Sequence, residues 1–389
     1  MPVFDKFNDI HNTYDQLFGL LASVIYPHCV TIPNIRIIVL QFLFQHNQGN
    51  TTMTKRIGVI NWDCSLPKST YFGHYATRSL QPEKYRDRTP YYARFDEQGK
   101  LEYPQRTLED YEVEMDFAIN AGIDYFAYCW YDQTPPTVLS QNPATAAPEP
   151  YLHELTQARN FHRKSKLKNQ LAYAATLITC HPYSDGCLQD LATEMTKPYY
   201  EKIQERPVVY LFPGDWKPLL DRLNRICSDN DVPKPFAVLM TNGVTSENAR
   251  GIDAFSSYAF VYQATTWETF AQELIAANAK RASFGIPVVP HFSLGWDPSP
   301  RNDHNVPWTS YPPGTYHPPA KPSQLLDAAR QLKAWINQNQ HKCVPNSLLA
   351  FAWNEFEEGA WICPTVSNSP TAPDMTRINT FAQMADCWK

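Results

Sequence analysis

The sequence predicts an α/β chain folded as a single (β/α)8 TIM barrel with long loops at its C-terminal face. Three observations carry that expectation. Eight short, near-continuous apolar runs lie along residues 56–353, as parallel strands buried on both faces require. Amphipathic helical stretches alternate with them, the pattern of repeated βαβ units. A doubly wound open sheet would carry a glycine-rich phosphate turn after its first strand, and no Gly-x-Gly follows Trp62.

The expected strands cover 56–62, 125–130, 171–179, 207–212, 236–241, 254–260, 287–294 and 348–353. Between the first two, Thr107 to Asp110 forms a capping-box start, followed by an inward stripe of Leu108, Tyr111, Met115, Ala118 and Ile119, with Gly122 as the stop. A second helix opens at Thr265 to Glu268 and faces Phe270, Leu274 and Ala277 inward. A third starts at Ser323 and carries Leu325, Ala329, Leu332 and Ile336. Two Pro-rich stretches, 134–150 and 298–322 with its YPPGTYHPP core, follow strand ends and so belong to the catalytic face of a barrel.

Length agrees with this organisation, since one elaborated barrel accommodates 389 residues. Residues 53–389 are expected to form the catalytic barrel. Residues 1–52 read as an N-terminal extension without a clear structure. Their two apolar runs are too short for a membrane span, and Asp5, Asp9 and Asp15 stand where a secretory signal would be positive. Met53, just ahead of the first strand, is the expected biological start.

The net charge of −5 argues against a nucleic-acid partner or an anionic membrane surface. The chain holds 22 tyrosines, 20 phenylalanines and 10 tryptophans, with 33 prolines against 14 glycines. That composition suits a loop-rich core and a site that stacks flat ligands such as sugar rings. The nine cysteines include no CxxC pair, and several sit in apolar runs such as YFAYCWY. They read as mostly reduced thiols, which leans toward a cytoplasmic setting. Oligomeric state is not legible.

In a barrel, catalytic groups come from strand C-termini and the loops after them. The eighth strand ends in Trp353-Asn354-Glu355-Phe356-Glu357-Glu358-Gly359. Clustered glutamates at a buried site repel one another, and that repulsion raises a carboxyl pKa as a general acid near neutral pH requires. Glycoside cleavage needs two carboxyl groups in different protonation states. If a helical turn follows Asn354, Glu355 and Glu358 share one face while Glu357 points elsewhere. The competing reading is a solvated acidic helix start. Spacing alone does not separate the two.

Around these, Trp130, Trp296, Trp353 and Trp361 are candidate sugar platforms, with Tyr131 beside the first. Asp63, Asp132 and Asp297 are candidate acceptors for sugar hydroxyls, and each suits a turn or helix cap equally well. Arg301 can orient a carboxylate or meet an acidic sugar; His291 and Asn354 complete the expected substrate-binding set. His74, His181, His291 and His304 show no ligand spacing, so neither metal nor other cofactor is expected.

The segment AWNEFEEGAWICPT resembles the Asn-Glu-Trp-x-Glu-Gly signature that closes the barrel of glycoside hydrolase family 99 and its larger family-99-like relatives. The stretches AINAGIDYFAYCWY, PYYEKIQERPVVYLF and GWDPSPR are similar to the same group, so the likeness runs from about residue 56 to 365. The resemblance implies a metal-independent, retaining enzyme acting on a poly- or oligosaccharide. It matches Glu355 to a base that helps the substrate's own 2-hydroxyl attack the anomeric carbon, and Glu358 to the acid/base that protonates the leaving oxygen. Phe356 replaces the usual tryptophan, and Glu357 adds a carboxylate at the variable position. The rival expectations are a glycosyl-transferring barrel of polysaccharide assembly and a non-catalytic glycan-binding barrel.

Overall fold

The computed structural model describes residues 55–133, 149–243, 245, 250–314, 316–367 and 372–389. The extension expected over 1–52, the start expected at Met53 and most of the Pro-rich stretch 134–150 lie outside the described residues. The compact unit that holds the strands is Thr54–Lys389.

Eight strands form it: β1 (Arg56–Asn61), β2 (Tyr125–Trp130), β3 (Ala172–Leu177), β4 (Arg206–Leu211), β5 (Phe236–Met240), β6 (Ala254–Ser256), β7 (His291–Ser293) and β8 (Ser347–Phe351). All pair parallel, in the order β7-β8-β1-β2-β3-β4-β5-β6. Phe255 of β6 bridges Val288, just ahead of β7, and closes the ring. There the Phe255 amide donates to the Pro287 carbonyl and the Val289 amide to the Phe255 carbonyl, both at 2.9 Å. The fold is the (β/α)8 barrel that the apolar runs predict.

Two of the expected strands are cut to three residues, each for a local reason. Pro287 and Pro290 have no N–H to give a ladder, which reduces 287–294 to a bridge and a three-residue strand. After Ser256 the chain leaves the sheet, because the Ser257 hydroxyl takes Asn242 Oδ1 at 2.9 Å and the Ala259 carbonyl at 3.0 Å. That exit carries Tyr258 to the barrel mouth.

The helix layer consists of α1 (Tyr71–Leu80) and α2 (Leu108–Asn120) after β1, α3 (Gln157–Lys164) after β2, α4 (Asp185–Met195) after β3 and α5 (Trp216–Asp229) after β4. It continues with α6 (Trp267–Ala282) after β6, α7 (Ser299–Asp303) and α8 (Pro322–Gln338) after β7, and α9 (Thr376–Trp388) after β8. Among the described residues no helix stands between β5 and β6. The capping box at Thr107 and Asp110 forms as expected, and Thr266 caps α6. The helix expected from Ser323 begins one residue earlier, because the fixed φ of Pro322 suits a first helical position.

Strands β2, β5 and β8 are buried along their whole length. Each large apolar side chain withdrawn there contributes about 1.5–3 kcal/mol, so the cylinder is the stiff part from which the loops hang.

Candidate active site

Past β8 the chain makes a tight hairpin. Asn354–Glu355 pairs antiparallel with Ala360–Trp361 and encloses one 3-10 turn, Phe356–Glu358. Gly359 closes the turn in the left-handed region at φ 75°, and a Cβ there would stand 2.8 Å from the Asp297 amide nitrogen. That amide donates to the Glu358 carbonyl at 2.8 Å. Asn354 ties the hairpin back to β1, accepting from the Trp62 amide at 2.8 Å and donating to Asn61 Oδ1 at 3.1 Å. In a 3-10 turn residues three apart eclipse, so Glu355 and Glu358 face the same way while Glu357 turns aside.

The two glutamates meet a cavity of about 420 Å³ built from loops that follow strand ends. Trp62, Tyr131, His181, Tyr258, Trp296 and Trp308 are among its walls. Arg301, on α7, spans the pair: one guanidinium nitrogen bonds Glu358 and the other lies 3.2 Å from Glu355. A single rigid fork reaching both carboxyls limits how far apart they can be. The second nitrogen is also 3.2 Å from Glu357. The Tyr258 hydroxyl donates to Glu355 at 2.7 Å, and the Tyr311 hydroxyl donates to Glu358. Cys129 Sγ stands 3.3 Å from the Tyr258 hydroxyl.

Burial sets the electrostatics. Glu355 is 2 % exposed, and its carboxyl is pushed up to about 8 by desolvation first and by the Glu358 charge second, against the pull of Arg301. Desolvation also raises Glu358, which Arg301 and the Tyr311 hydrogen bond oppose. With three carboxylates against one guanidinium, the pair holds a shared proton near neutrality.

The expected substrate-binding residues divide. Tyr131, Trp296 and Arg301 line the cavity together with Glu355 and Glu358. The others are not among its described lining residues, and each has protein partners. Trp130 faces the helix layer with the Arg159 guanidinium 4.1 Å from its ring. Trp353 is fully buried and donates its indole N–H to Glu114 at 2.6 Å. Trp361 packs under Arg377, 3.9 Å from its ring centre. None of these indoles offers a sugar an open face.

Asp63 is taken by Arg106 and the Tyr111 hydroxyl. Asp132 accepts from the Ser184 amide at 2.9 Å, ahead of α4, and Asp297 pairs with Arg88 while its carboxylate accepts from the Ser299 amide at 3.1 Å. Asn354 is spent on β1. His291 is buried, lowered to about 3 by desolvation, and its Nε2 meets the Tyr258 carbonyl at 3.0 Å. Neutral at physiological pH, it braces Tyr258 and is not among the cavity's described lining residues.

Sequence reasoning missed Tyr258, Tyr311 and Trp308. Tyr311 and Trp308 come from the Pro-rich stretch 298–322, whose position at the catalytic face was legible although its individual roles were not. Tyr258 follows a strand predicted too long. Among the described residues, no cluster of three or more His, Cys, Asp or Glu could hold a metal ion, and no helix is long and apolar enough to cross a membrane.

No family model matches the chain, and no curated protein matches it. Solved structures do. The glycoside hydrolase family 99 endo-α-mannosidase from Bacteroides thetaiotaomicron, in complex with BIS-TRIS-propane, has a TM-score of 0.51 at 11% identity, covering 86% of this chain and 97% of that one. A second structure of the family 99 endo-α-mannosidase from that organism gives 0.47 at 13% identity, over 76% and 83% of the two chains. The first likeness shows the fold. The closing motif thus resembles the family to which that solved barrel belongs.

Proposed function

We propose that the chain is a glycoside hydrolase that cleaves glycosidic bonds in a poly- or oligosaccharide with retention of configuration, using Glu355 and Glu358. One observation carries the proposal: two buried carboxyls on one turn, spanned by a single arginine, meet a cavity at the C-terminal mouth of the barrel. Its volume of about 420 Å³ falls in the usual range for small-ligand sites. The indoles of Trp296 and Trp308 supply apolar faces, and Tyr131 and His181 supply polar edges.

The roles follow the resemblance. Glu358 protonates the leaving oxygen, and Glu355 takes the proton of the sugar's 2-hydroxyl as that oxygen attacks the anomeric carbon; water then opens the resulting ring with the same two groups reversed. Both carboxyls of the resting pair are raised by burial, and the shared proton belongs to the pair. A bound sugar decides the sharing, its hydroxyl meeting Glu355 and its bridging oxygen meeting Glu358. Arg301 contacts both carboxyls and can follow that exchange without moving.

The test is a panel of plant, fungal and bacterial polysaccharides and aryl glycosides, with wild type beside Glu355→Gln and Glu358→Gln. New reducing ends from wild type, absent from both variants, support the proposal. Sugar release that depends on an activated donor points to the glycosyl-transferring alternative. Glycan binding without turnover, unchanged in both variants, points to a binding barrel.

A further inference from the structure

Glu357 is the carboxylate that the hydrolytic scheme leaves unused. It is 2 % exposed and is not among the cavity's described lining residues. One of its oxygens accepts from the Ser79 hydroxyl on α1. The other stands 3.2 Å from the Arg301 nitrogen that also meets Glu355, and 3.7 Å from Cys64 Sγ. Burying a third charge behind an already crowded pair costs several kcal/mol. A glutamine would accept from Ser79 equally well through its amide oxygen, so what needs explaining is the charge.

Arg301 supplies the reason. Its Nε is buried without a hydrogen-bond partner, and the Trp62 ring centre lies 5.0 Å from the guanidinium, so its hydrogen bonds run through the two outer nitrogens to carboxylates. Two of the three change protonation during the reaction, and their grip changes with them. Glu357 does not take part in proton exchange with the substrate, and Ser79 holds it from behind.

Resting on the hydrolase reading above, we infer that Glu357 is a positioning residue: it anchors Arg301 against the catalytic pair, and its charge keeps one proton on that pair. With Glu357 ionised, the Arg301 charge is offset from behind and the pair retains a proton toward alkaline pH. With a neutral residue there, the full guanidinium charge falls on the pair, which then deprotonates at lower pH.

Among the described residues, His181 lines the same cavity and Asp63 acts on Cys64 from the Arg106 side. Glu357 meets Cys64 and Tyr103; Glu355 meets Tyr258, Cys129 and Tyr131; Glu358 meets Tyr311; burial raises all of these neutral acids. The neighbouring Arg88 and Asp297 offset each other.

The experiment compares wild type, Glu357→Gln and Ser79→Ala on the glycan that wild type cleaves. It follows kcat and KM across pH 5–9 together with the side-chain carboxyl resonances of protein labelled with 13C-glutamate. For Glu357→Gln the alkaline limb of kcat/KM and the pair's carboxyl titration should both move about one pH unit lower, the step expected when a neighbouring charge is removed. At the optimum its kcat should fall about tenfold with KM little changed, as for a misplaced catalytic group. Ser79→Ala keeps the charge and loosens the anchor, so its limb stays while kcat falls severalfold.

An unmoved limb and unmoved carboxyl titration in Glu357→Gln overturn the inference. Should that variant not fold, an unchanged kcat in Ser79→Ala overturns it. If wild type cleaves nothing, the hydrolase reading fails by itself, and the carboxyl titration still decides the role of Glu357.

Discussion

Arg106 and Arg301 are both buried among carboxylates, yet they build different things. Arg106 bonds Asp63, Glu114 at 2.5 Å and the Tyr111 hydroxyl, while its guanidinium lies 4.3 Å and 4.0 Å from the ring centres of Tyr92 and Tyr111. Trp353 closes the cluster from the far side through the other oxygen of Glu114. Every charge there has a partner and none meets the cavity. Arg301 holds one more carboxylate with the same single positive charge, and two of its three partners open onto the cavity. A closed set of charges makes a strut. An excess of carboxylate beside an opening leaves a proton available for chemistry.

The largest effect should come from the Arg301 side. Glu355→Gln and Glu358→Gln are expected to lower kcat/KM about a thousandfold or more, roughly 4 kcal/mol of transition-state stabilisation, without lowering the denaturant midpoint. Losses under tenfold in both would erase the difference between the two clusters.

Next comes Arg106→Leu, which leaves Asp63 and Glu114 buried and unpaired. It should cost about 3–5 kcal/mol in urea unfolding, while turnover per folded molecule stays near wild type. A loss of turnover without a loss of stability would move Arg106 into the site.

The third prediction concerns pH. The carboxyl of Glu355 lies higher in the folded protein than in the unfolded chain, so folding takes up a proton. Its contribution is therefore fully present below about 4.5 and is lost as pH rises through about 8. Glu355→Gln does not titrate. Its stability relative to wild type should grow between pH 5 and pH 8 by on the order of 2 kcal/mol, read from thermal or urea midpoints. A constant difference would mean that Glu355 is not raised.

The smallest effect is assigned to Asp132, whose contact with Ser184 supports the start of α4. Asp132→Ala should cost about 0.5–1 kcal/mol and leave KM unchanged. A tenfold rise in KM would return Asp132 to the substrate.

The comparison also explains what the sequence allowed to be read. The barrel was legible because strands buried on both faces leave uninterrupted apolar runs. The Glu355–Glu358 pair was legible because one turn carries both residues. Position at a strand end does not tell which side of the barrel wall a side chain takes, and Asp63 and Trp353 both turn toward the Arg106 cluster. Arg106 itself gave no signal, standing in an irregular segment just ahead of α2 with partners 43 residues upstream and 8 downstream. Tyr258 gave no signal because its place at the mouth depends on Ser257 ending the strand early.

The roles of the two glutamates are tested most directly with a leaving group that needs no proton. Glycosyl fluoride and the unactivated glycan of the same sugar are compared as substrates for Glu358→Gln and Glu355→Gln. The account predicts that first-turnover fluoride release, the step that needs no acid, is largely restored in Glu358→Gln and little in Glu355→Gln. Recovery in Glu355→Gln alone, or full activity of both variants on the unactivated glycan, would contradict it.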